Sequence, residues 1–295
     1  MTVNSIKRVA IVGGTHGNEL TGVYLVKKFE RSPDLIKRSR FESVAFLANP
    51  KAYQIGTRYV DTDLNRCFHR QDLENPALSS YEAIRAKEIY QILASGDKQQ
   101  SNLIVDLHST TSNMGLTIIP SSKHPFNLQL AAYLQSVNPS VKVYRWAQAE
   151  QDSPFLRSIY ELGCAIEVGS IAQGVLDAHL FQQTEALIYA ILDFVEAYNQ
   201  GTPFLTKEPL VIYQSIQTID YPRNENGEIQ AMIHPQLQFR DYEALHPGEP
   251  MFLTFDGEAI AYQGTSTVYP VFINEAAYYE KGIAMCITQK EMVVV

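Results

Sequence analysis

Two short segments of the sequence bring together residue types that can bind a catalytic metal ion. Segment 13–19 contains His16 and Glu19, and segment 106–109 contains His108. Two imidazoles and one carboxylate are a usual ligand set for a catalytic zinc, whose fourth position stays open for water or substrate. The alternative is a loop histidine beside a helix-capping glutamate. The two segments together favour a zinc site and predict a metal-assisted hydrolase.

The elements around these segments place both of them at one edge of a sheet. The apolar run 8–12 predicts a buried strand that ends before His16, and the run 103–107 predicts another that ends at His108. In open α/β sheets, ligands bind beyond the carboxyl ends of the strands. We therefore expect the two histidines to meet, and Asp106 to accept the second N–H of a liganding imidazole.

A polar segment after the next predicted strand carries candidate substrate-binding groups. Because arginine binds carboxylates with two parallel hydrogen bonds, Asn65 and Arg66 are candidates for the α-carboxylate of an amino-acid-like substrate. Arg58 is a candidate for stabilising the oxyanion that forms from the scissile carbonyl. The alternative, which composition alone favours, is a surface loop whose arginines pair with Asp61 and Asp63.

Glu167 is a carboxylate inside an apolar segment, residues 165–169. An ionised carboxylate on a buried strand is costly unless a charge or a metal compensates it. Beside zinc, such a group can take a proton from attacking water and pass it to the leaving nitrogen. The alternative role is one half of a buried ion pair. Arg157 is a further candidate, for a second substrate carboxylate, although an isolated arginine forms no pattern of its own.

The composition is that of a globular protein and argues against several classes of function. The 295 residues are 45% apolar and 19% charged, with a formal net charge of −8, which disfavours nonspecific nucleic-acid binding because that requires Lys and Arg. No apolar run is long enough to span a bilayer and no signal-peptide pattern is present, so we expect a cytoplasmic protein without a membrane partner. Cys67, Cys164 and Cys286 lack metal-ligand spacing, which predicts free buried thiols.

The order of the predicted elements indicates an α/β fold followed by a β-rich domain. After a polar loop between residues 50 and 80, the pattern predicts helices at 80–96 and 176–198 and strands at 44–48, 116–120, 141–146 and 164–168. This alternation indicates a mixed, largely parallel sheet flanked by helices. Beyond the second long helix, short strand-like runs at 210–219, 228–233, 251–255 and 268–273 are separated by turns. We therefore divide the chain into domains 1–203 and 204–295.

These residues together resemble the aspartoacylases, members of the aspartoacylase and succinylglutamate desuccinylase branch of the zinc-carboxypeptidase-like fold. The resemblance covers almost the whole chain. Its segments are Gly-Gly-Thr-His-Gly-Asn-Glu at 13–19, Asp-Thr-Asp-Leu-Asn-Arg at 61–66, Asp-Leu-His-Ser-Thr-Thr-Ser-Asn-Met-Gly at 106–115, Ala-Ile-Glu-Val-Gly at 165–169, Tyr-Pro-Arg-Asn-Glu-Asn-Gly-Glu-Ile at 221–229 and Thr-Val-Tyr-Pro-Val-Phe-Ile-Asn-Glu-Ala-Ala-Tyr-Tyr-Glu-Lys at 267–281. The last segment is the most specific.

The resemblance implies a role for each candidate residue. It implies one zinc ion per chain, held by His16, Glu19 and His108, with Glu167 as general base and then general acid. It implies that the substrate is bound by Arg58 at the carbonyl, Asn65 and Arg66 at the α-carboxylate, Arg157 at the aspartate side chain and Tyr278 from the C-terminal domain.

The resemblance also implies what the β-rich domain does. In the family this domain narrows the channel to the catalytic site and excludes long peptides, and Glu275 supports the segment that bears Tyr278. At one position the chain departs from the pattern, because Ser153 stands where relatives of this type can carry a substrate-binding tyrosine. The details of aspartate selectivity are therefore left open, although the hydrolytic chemistry is not.

The sequence thus predicts a zinc-dependent amidohydrolase that cleaves N-acetyl-L-aspartate, or a close N-acyl amino acid, to acetate and the free amino acid. The nearest alternative is a deacylase of N-acyl aromatic amino acids or mercapturates. A small-peptide carboxypeptidase is more distant, and a noncatalytic metal-binding module is the alternative from a different class. The expected partner is a small-molecule substrate, and a homo-oligomer is left open.

Overall fold

The computed structural model describes residues 5–94, 101–146, 153–202, 204, 206 and 208–295. The strands are β1 (Ile6–Gly13), β2 (Glu42–Leu47), β3 (Ser101–Ser109), β4 (Gly115–Pro120), β5 (Val141–Arg145), β6 (Leu162–Gly169), β7 (Leu210–Ile219), β8 (Ala231–Ile233), β9 (Pro250–Thr254), β10 (Ala259–Ala261), β11 (Tyr269–Val271) and β12 (Met285–Val293). The α-helices are α1 (Leu20–Arg31), α2 (Pro50–Ile55), α3 (Arg70–Glu74), α4 (Tyr81–Ala94), α5 (Pro125–Val137) and α6 (Ala178–Asn199). Short 3₁₀ helices span Pro33–Leu35, Leu64–Arg66, Leu156–Ile159 and Ala276–Lys281.

Nine strands form one large sheet in the order β11-β12-β7-β5-β4-β6-β3-β1-β2. The four strands β2, β1, β3 and β6 are parallel, as are β4, β5 and β7, and these two groups meet at an antiparallel β4–β6 pair. Strands β12 and β11 complete the sheet with antiparallel pairing. The predicted α/β class with a largely parallel sheet is confirmed.

The C-terminal part of the chain contributes to two sheets. Strands β7, β11 and β12 extend the large sheet, whereas β10, β9 and β8 form a separate antiparallel sheet of three strands. Leu237, Leu245, Phe252 and Ile287 belong to the buried apolar cluster of this part. The predicted β-rich character is confirmed, but the boundary between 203 and 204 stays a prediction, since residue 203 lies outside the described residues.

The core of the large sheet explains why the strands near the site are continuous apolar runs. Parallel strands covered by helices on both faces are buried on both sides, so they need apolar residues at successive positions. In β1, the residues from Val9 to Gly13 are all buried. Helix α1 buries Val26 and Phe29, and α6 buries Leu187 and Ile191, in the same apolar cluster. Within the described residues, no helix combines the length and the apolar character needed to cross a membrane.

The expectation of an uninterrupted polar loop between residues 50 and 80 was wrong, because this segment contains α2 and α3. Helix α2 starts with Pro50 at its first turn, and the Asn49 side-chain oxygen accepts a hydrogen bond from the Ala52 N–H at 3.1 Å. Proline at the first position and asparagine at the N-cap are both helix-starting features. The pair Asn49–Pro50 therefore begins a helix instead of only ending the preceding strand.

Two other expectations need correction. The strand expected at 268–273 is shortened to β11, because Phe272 and Asn274 have φ values of 52° and 59°, which a strand does not accommodate. The strand expected at 228–233 is reduced to β8. All three cysteines are free, but Cys67 is partly exposed, so the prediction of a buried thiol was wrong for it.

Candidate metal centre and active site

His16, Glu19 and His108 converge at the carboxyl ends of β1 and β3. Nδ1 of His16 lies 2.6 Å from Glu19 Oε1, and Nδ1 of His108 lies 3.0 Å from Glu19 Oε2. One ligand atom from each residue lies within 4.8 Å of the other two, and all three residues are buried. The strands bring them together because β1 and β3 are adjacent and parallel, with Gly13 opposite Leu107.

The loop between β1 and α1 depends on glycine for its shape. Gly14 has a φ of 66°, and a Cβ at this position would overlap the Leu47 side chain. A Cβ on Gly17 would overlap the backbone of Ala52, and the Gly17 N–H donates a hydrogen bond to the Arg58 carbonyl at 3.0 Å. The two glycines let the loop carrying His16 pack directly against α2 and its neighbouring segment.

Carboxylates also hold the second nitrogen of each imidazole. His16 Nε2 lies 3.0 Å from Asp63 Oδ1, and His108 Nε2 lies 2.8 Å from Asp106 Oδ2. Asp106 is itself held by a hydrogen bond of 2.8 Å from the Thr15 hydroxyl. A carboxylate behind a liganding imidazole fixes its orientation and tautomer. The Nδ1 atoms therefore remain available on the Glu19 side, and the donor set fits a zinc ion.

The charges of this cluster are strongly interdependent. Burial would raise the pKa of Glu19, but His16 and His108 hold the pKa of this carboxyl well below its usual value. Burial would lower the pKa of His108, but Asp106 and Glu19 raise the pKa of this imidazole well above its usual value. The buried carboxylates thus favour positive charge between them, which a bound divalent cation would also supply.

Arg58 lies beside the three candidate metal ligands, and one of its N–H groups has no acceptor among the described residues. Its Nη1 donates to Glu19 Oε1 at 2.9 Å, and its Nη2 lies 3.9 Å from Asp63 Oδ2. Its Nε is buried without a hydrogen-bond partner among the described residues. The pairing with Asp61 that the surface-loop alternative requires is not observed, since Asp61 Oδ2 accepts from the Tyr81 N–H at the start of α4.

Glu167 lies on β6, directly across from His108 on β3. It is the one residue of β6 that is not fully buried, and it lines the same pocket as the histidines. Burial raises the pKa of Glu167 to about 8, and Glu19 and Glu275 act in the same direction against the opposing effect of His108. Among the described residues Glu167 makes no ion pair, so the ion-pair alternative is not supported. A carboxyl of this kind can hold and release a proton near neutral pH.

Asn65, Arg66 and Arg157 line the same pocket, and Nδ2 of Asn65 lies 3.4 Å from His108 Nε2. Asn65 Oδ1 accepts from the Leu156 N–H at 2.9 Å, and Arg66 Nη1 donates to the Asn65 carbonyl at 2.8 Å. The guanidinium of Arg157 makes no hydrogen bond or ion pair with another described residue. Burial lowers the pKa of Arg157, Asp106 opposes this, and Arg66 lowers it further. The pocket therefore holds a half-buried guanidinium that forms no ion pair with another described residue.

Glu82 organises the segment that carries Arg58, Asn65 and Arg66, and no sequence pattern indicates this role. This carboxylate on α4 is fully buried. It accepts hydrogen bonds from the N–H groups of Val60 at 2.6 Å, Asp61 at 3.0 Å and Thr62 at 3.2 Å, and from Asn49 Nδ2 at 3.1 Å. One side chain thus fixes the backbone between Arg58 and Asp63.

The C-terminal part closes the pocket with the 3₁₀ helix Ala276–Lys281, which contains Tyr278. Glu275 is buried at the start of this helix and accepts from the Thr111 N–H at 2.8 Å and the Ala277 N–H at 3.0 Å. It also accepts from the Thr110 hydroxyl. The remaining wall is largely apolar and aromatic, formed by Ile119, Tyr144, Trp146, Phe155, Ala165 and Phe272.

Comparison with known proteins gives the family. The sequence model described as the succinylglutamate desuccinylase/aspartoacylase catalytic domain matches residues 5–195, and the AstE/AspA barrel-sandwich hybrid domain matches residues 208–290. The chain belongs to this family. A probable aspartoacylase from Nostoc sp. is 58% identical over 99% of this chain and 99% of its own length.

Two further relatives carry names that differ from aspartoacylase. The human N-acyl-aromatic-L-amino acid amidohydrolase (carboxylate-forming) is 44% identical over 97% of this chain and 91% of its own length. The crystal structure of murine aminoacylase 3 matches with a TM-score of 0.91 and 41% identity, covering 98% of this chain and 97% of that chain. The fold that the resemblance implied is confirmed, and the family is one of deacylases.

Proposed function

We propose that this protein is a zinc-dependent deacylase that hydrolyses N-acetyl-L-aspartate, or a close N-acyl amino acid, to acetate and the free amino acid. The observation that carries the proposal is the guanidinium of Arg157, which forms no ion pair with another described residue and lines the same pocket as His16, Glu19, His108 and Glu167. A half-buried arginine that forms no ion pair is costly to desolvate unless a ligand supplies the anion. The side-chain carboxylate of aspartate is such an anion.

The proposed ligands of the zinc ion are Nδ1 of His16, a carboxylate oxygen of Glu19 and Nδ1 of His108. When bound, zinc would polarise the scissile carbonyl and lower the pKa of water. Asp63 and Asp106 would keep each imidazole in the tautomer that leaves Nδ1 free to bind.

Arg58 and Glu167 are the proposed catalytic residues of the chain. The buried Nε of Arg58 would donate to the oxygen of the scissile carbonyl as negative charge develops there. Glu167 would take a proton from the attacking water and then deliver it to the leaving amine nitrogen. Its pKa of about 8 in the metal-free protein supports this role, because an acid–base group works best with a pKa near the working pH.

Asn65, Arg66 and Arg157 are proposed to bind the two carboxylates of the substrate. Arg66 and Asn65 would hold the α-carboxylate, and Arg157 would hold the side-chain carboxylate with two charge-assisted hydrogen bonds. Tyr278 would contact the substrate from the opposite side, where the 3₁₀ helix of the C-terminal part lines the pocket. This helix would narrow the opening to the site, and such narrowing would disfavour the carboxypeptidase alternative.

The aromatic wall favours a second candidate substrate. Tyr144, Trp146 and Phe155 line the pocket and would accommodate the ring of an N-acyl aromatic amino acid. One relative of this chain, from human, is named an N-acyl-aromatic-L-amino acid amidohydrolase, which supports this second substrate class.

Turnover of the zinc-loaded protein separates the two candidates. We expect the specificity constant for N-acetyl-L-aspartate to exceed that for N-acetyl-L-phenylalanine, because only the former places an anion on Arg157. The reverse order would contradict the proposal and establish the aromatic alternative. A zinc-loaded, folded sample that is inert toward a panel of N-acyl amino acids would instead support a noncatalytic module.

A further inference from the structure

Phe155 contacts two arginines that line the pocket, Arg66 and Arg157. The Cζ atom of Arg157 lies 4.2 Å from the centroid of the Phe155 ring, and Cζ of Arg66 lies 4.8 Å from it. The ring immediately precedes the 3₁₀ helix Leu156–Ile159, which carries Arg157, and it lines the pocket. Among the described residues, no other aromatic ring contacts two guanidinium groups.

The guanidinium groups of Arg66 and Arg157 repel each other, while the carboxylate of Asp106 attracts Arg157. Arg66 lowers the pKa of Arg157, after the larger effect of burial and the opposing effect of Asp106. Neither guanidinium forms an ion pair with another described residue. The face of an aromatic ring carries negative electrostatic potential and attracts cations. Phe155 thus offsets the repulsion without neutralising either charge.

The chemistry of the ring matters for what the site can bind. A carboxylate at position 155 would pair with the arginines and compete with an incoming anion. An aliphatic side chain would leave two like charges side by side in a partly buried pocket. A phenyl ring attracts both guanidinium groups without accepting their N–H groups as a carboxylate would, so donors other than the Arg66 Nη1 group bonded to the Asn65 carbonyl stay available to a ligand.

We propose that Phe155 is a positioning residue that sets the spacing of Arg66 and Arg157 for a ligand with two carboxylates. This inference rests on the proposed function, since it takes both arginines to be substrate-binding residues.

Calorimetric titration of the zinc-loaded protein with succinate and with butyrate tests the inference. Succinate carries two carboxylates and butyrate one, while both have the same number of carbon atoms. We expect Phe155→Leu to weaken succinate binding by roughly threefold to thirtyfold, the range of a partly desolvated cation–π contact, and to change butyrate binding much less. Phe155→Tyr keeps the ring face and should retain the wild-type ratio of the two affinities.

The matched control is Phe41→Leu, an equivalent change in the apolar core at a residue that does not line the pocket. It should leave both affinities unchanged, even if it lowers the thermal midpoint. If Phe155→Leu is not folded by circular dichroism, Phe155→Met carries the same expectation. The inference would be overturned if the folded non-aromatic variant, Phe155→Leu or Phe155→Met, bound succinate as tightly as the wild-type protein. It would also be overturned if the variant lost affinity equally for succinate and butyrate. Failure of the wild-type protein to bind succinate would overturn it as well.

These titrations do not depend on turnover. Absence of N-acetylaspartate hydrolysis in the wild-type protein would contradict the proposed function and leave the succinate-to-butyrate ratio interpretable. Conversely, the protein could hydrolyse N-acetylaspartate while Phe155→Leu leaves the ratio of succinate to butyrate affinity unchanged. That result would support the proposed function and contradict the role of Phe155.

Discussion

The ammonium group of Lys281 donates a hydrogen bond of 2.9 Å to Oδ2 of Asp63, whose Oδ1 lies 3.0 Å from His16 Nε2. The C-terminal 3₁₀ helix Ala276–Lys281 is thereby connected to the proposed metal ligand through a single carboxylate. Burial would raise the pKa of Asp63, but His16, Arg58 and Lys281 lower it, so this aspartate remains ionised. The C-terminal part thus helps to orient His16.

Lys281→Met should weaken zinc binding, because it removes the donor to Asp63 while keeping a side chain of similar length. Loss of a group behind a metal ligand costs about 10- to 100-fold in metal affinity, and Lys281 is one contact further away, so we expect at most about tenfold. Competition with a zinc chelator measures this. Lys290→Met, a change on β12 outside the pocket, is the control. Equal zinc affinity in wild type and Lys281→Met would show that the contact has no such role.

Glu167→Gln should lower turnover by at least about a hundredfold, in line with the contribution of general acid–base catalysis. The amide keeps the shape of the side chain but cannot accept the proton. Zinc content should hardly change, because Glu167 is not a proposed ligand. Glu161→Gln, an exposed substitution just before β6, is the matched control and should behave as wild type. Near-normal turnover in Glu167→Gln would move the proton-transfer role to another group.

The raised pKa of Glu167 also predicts how stability depends on pH. In the metal-free folded protein burial raises this pKa to about 8, against an ordinary value of 4.5. Between these values the folded state binds a proton that the unfolded state lacks, so this group makes unfolding harder as the pH falls from above 8 toward 5. Urea denaturation of chelator-treated protein at several pH values measures the effect. Glu167→Gln should lack this component, and an unchanged pH slope in the variant would contradict the assignment.

The sequence could predict the centre of the site because short, local patterns encode it. His16, Glu19 and His108 each follow an apolar run of strand length, and neighbouring parallel strands bring their carboxyl ends together. Glu167 was detectable for the same reason, since a carboxylate stands out within an apolar strand. In these cases a few successive residues indicate both the burial and the proposed role of the side chain.

The remaining contacts could not be predicted because they join segments that are distant in sequence. Glu82 lies within an ordinary helical pattern, and nothing local indicates that it accepts three backbone N–H groups from residues 60–62. The hydrogen bond from Lys281 to Asp63 likewise depends on how the C-terminal part packs. Strand β7 pairs with β5 and so joins the large sheet. The pattern of apolar residues can predict a strand here, but it does not specify the partner with which the strand pairs.

Arg157→Ala should impair cleavage of N-acetylaspartate far more than cleavage of N-acetylalanine, because alanine lacks the carboxylate that Arg157 is proposed to bind. Hydrogen bonds to charged groups contribute about 1.5 to 3 kcal/mol, which corresponds to roughly a ten- to hundredfold loss in kcat/KM. Arg157→Lys should be intermediate, since it keeps the charge but loses the paired donors. An equal loss of kcat/KM for both substrates would mean that Arg157 contacts the part that the two substrates share or that it stabilises the folded protein.

The central claim is that His16, Glu19 and His108 bind one zinc ion that deacylation requires. Zinc content and N-acetylaspartate turnover should be measured together on protein expressed with zinc, after chelation and after adding zinc back. We predict close to one equivalent of zinc, loss of turnover on chelation with secondary structure retained, and recovery with about one equivalent of added zinc. Less than about a tenth of an equivalent in active protein, or turnover that survives complete removal of the metal, would contradict the account.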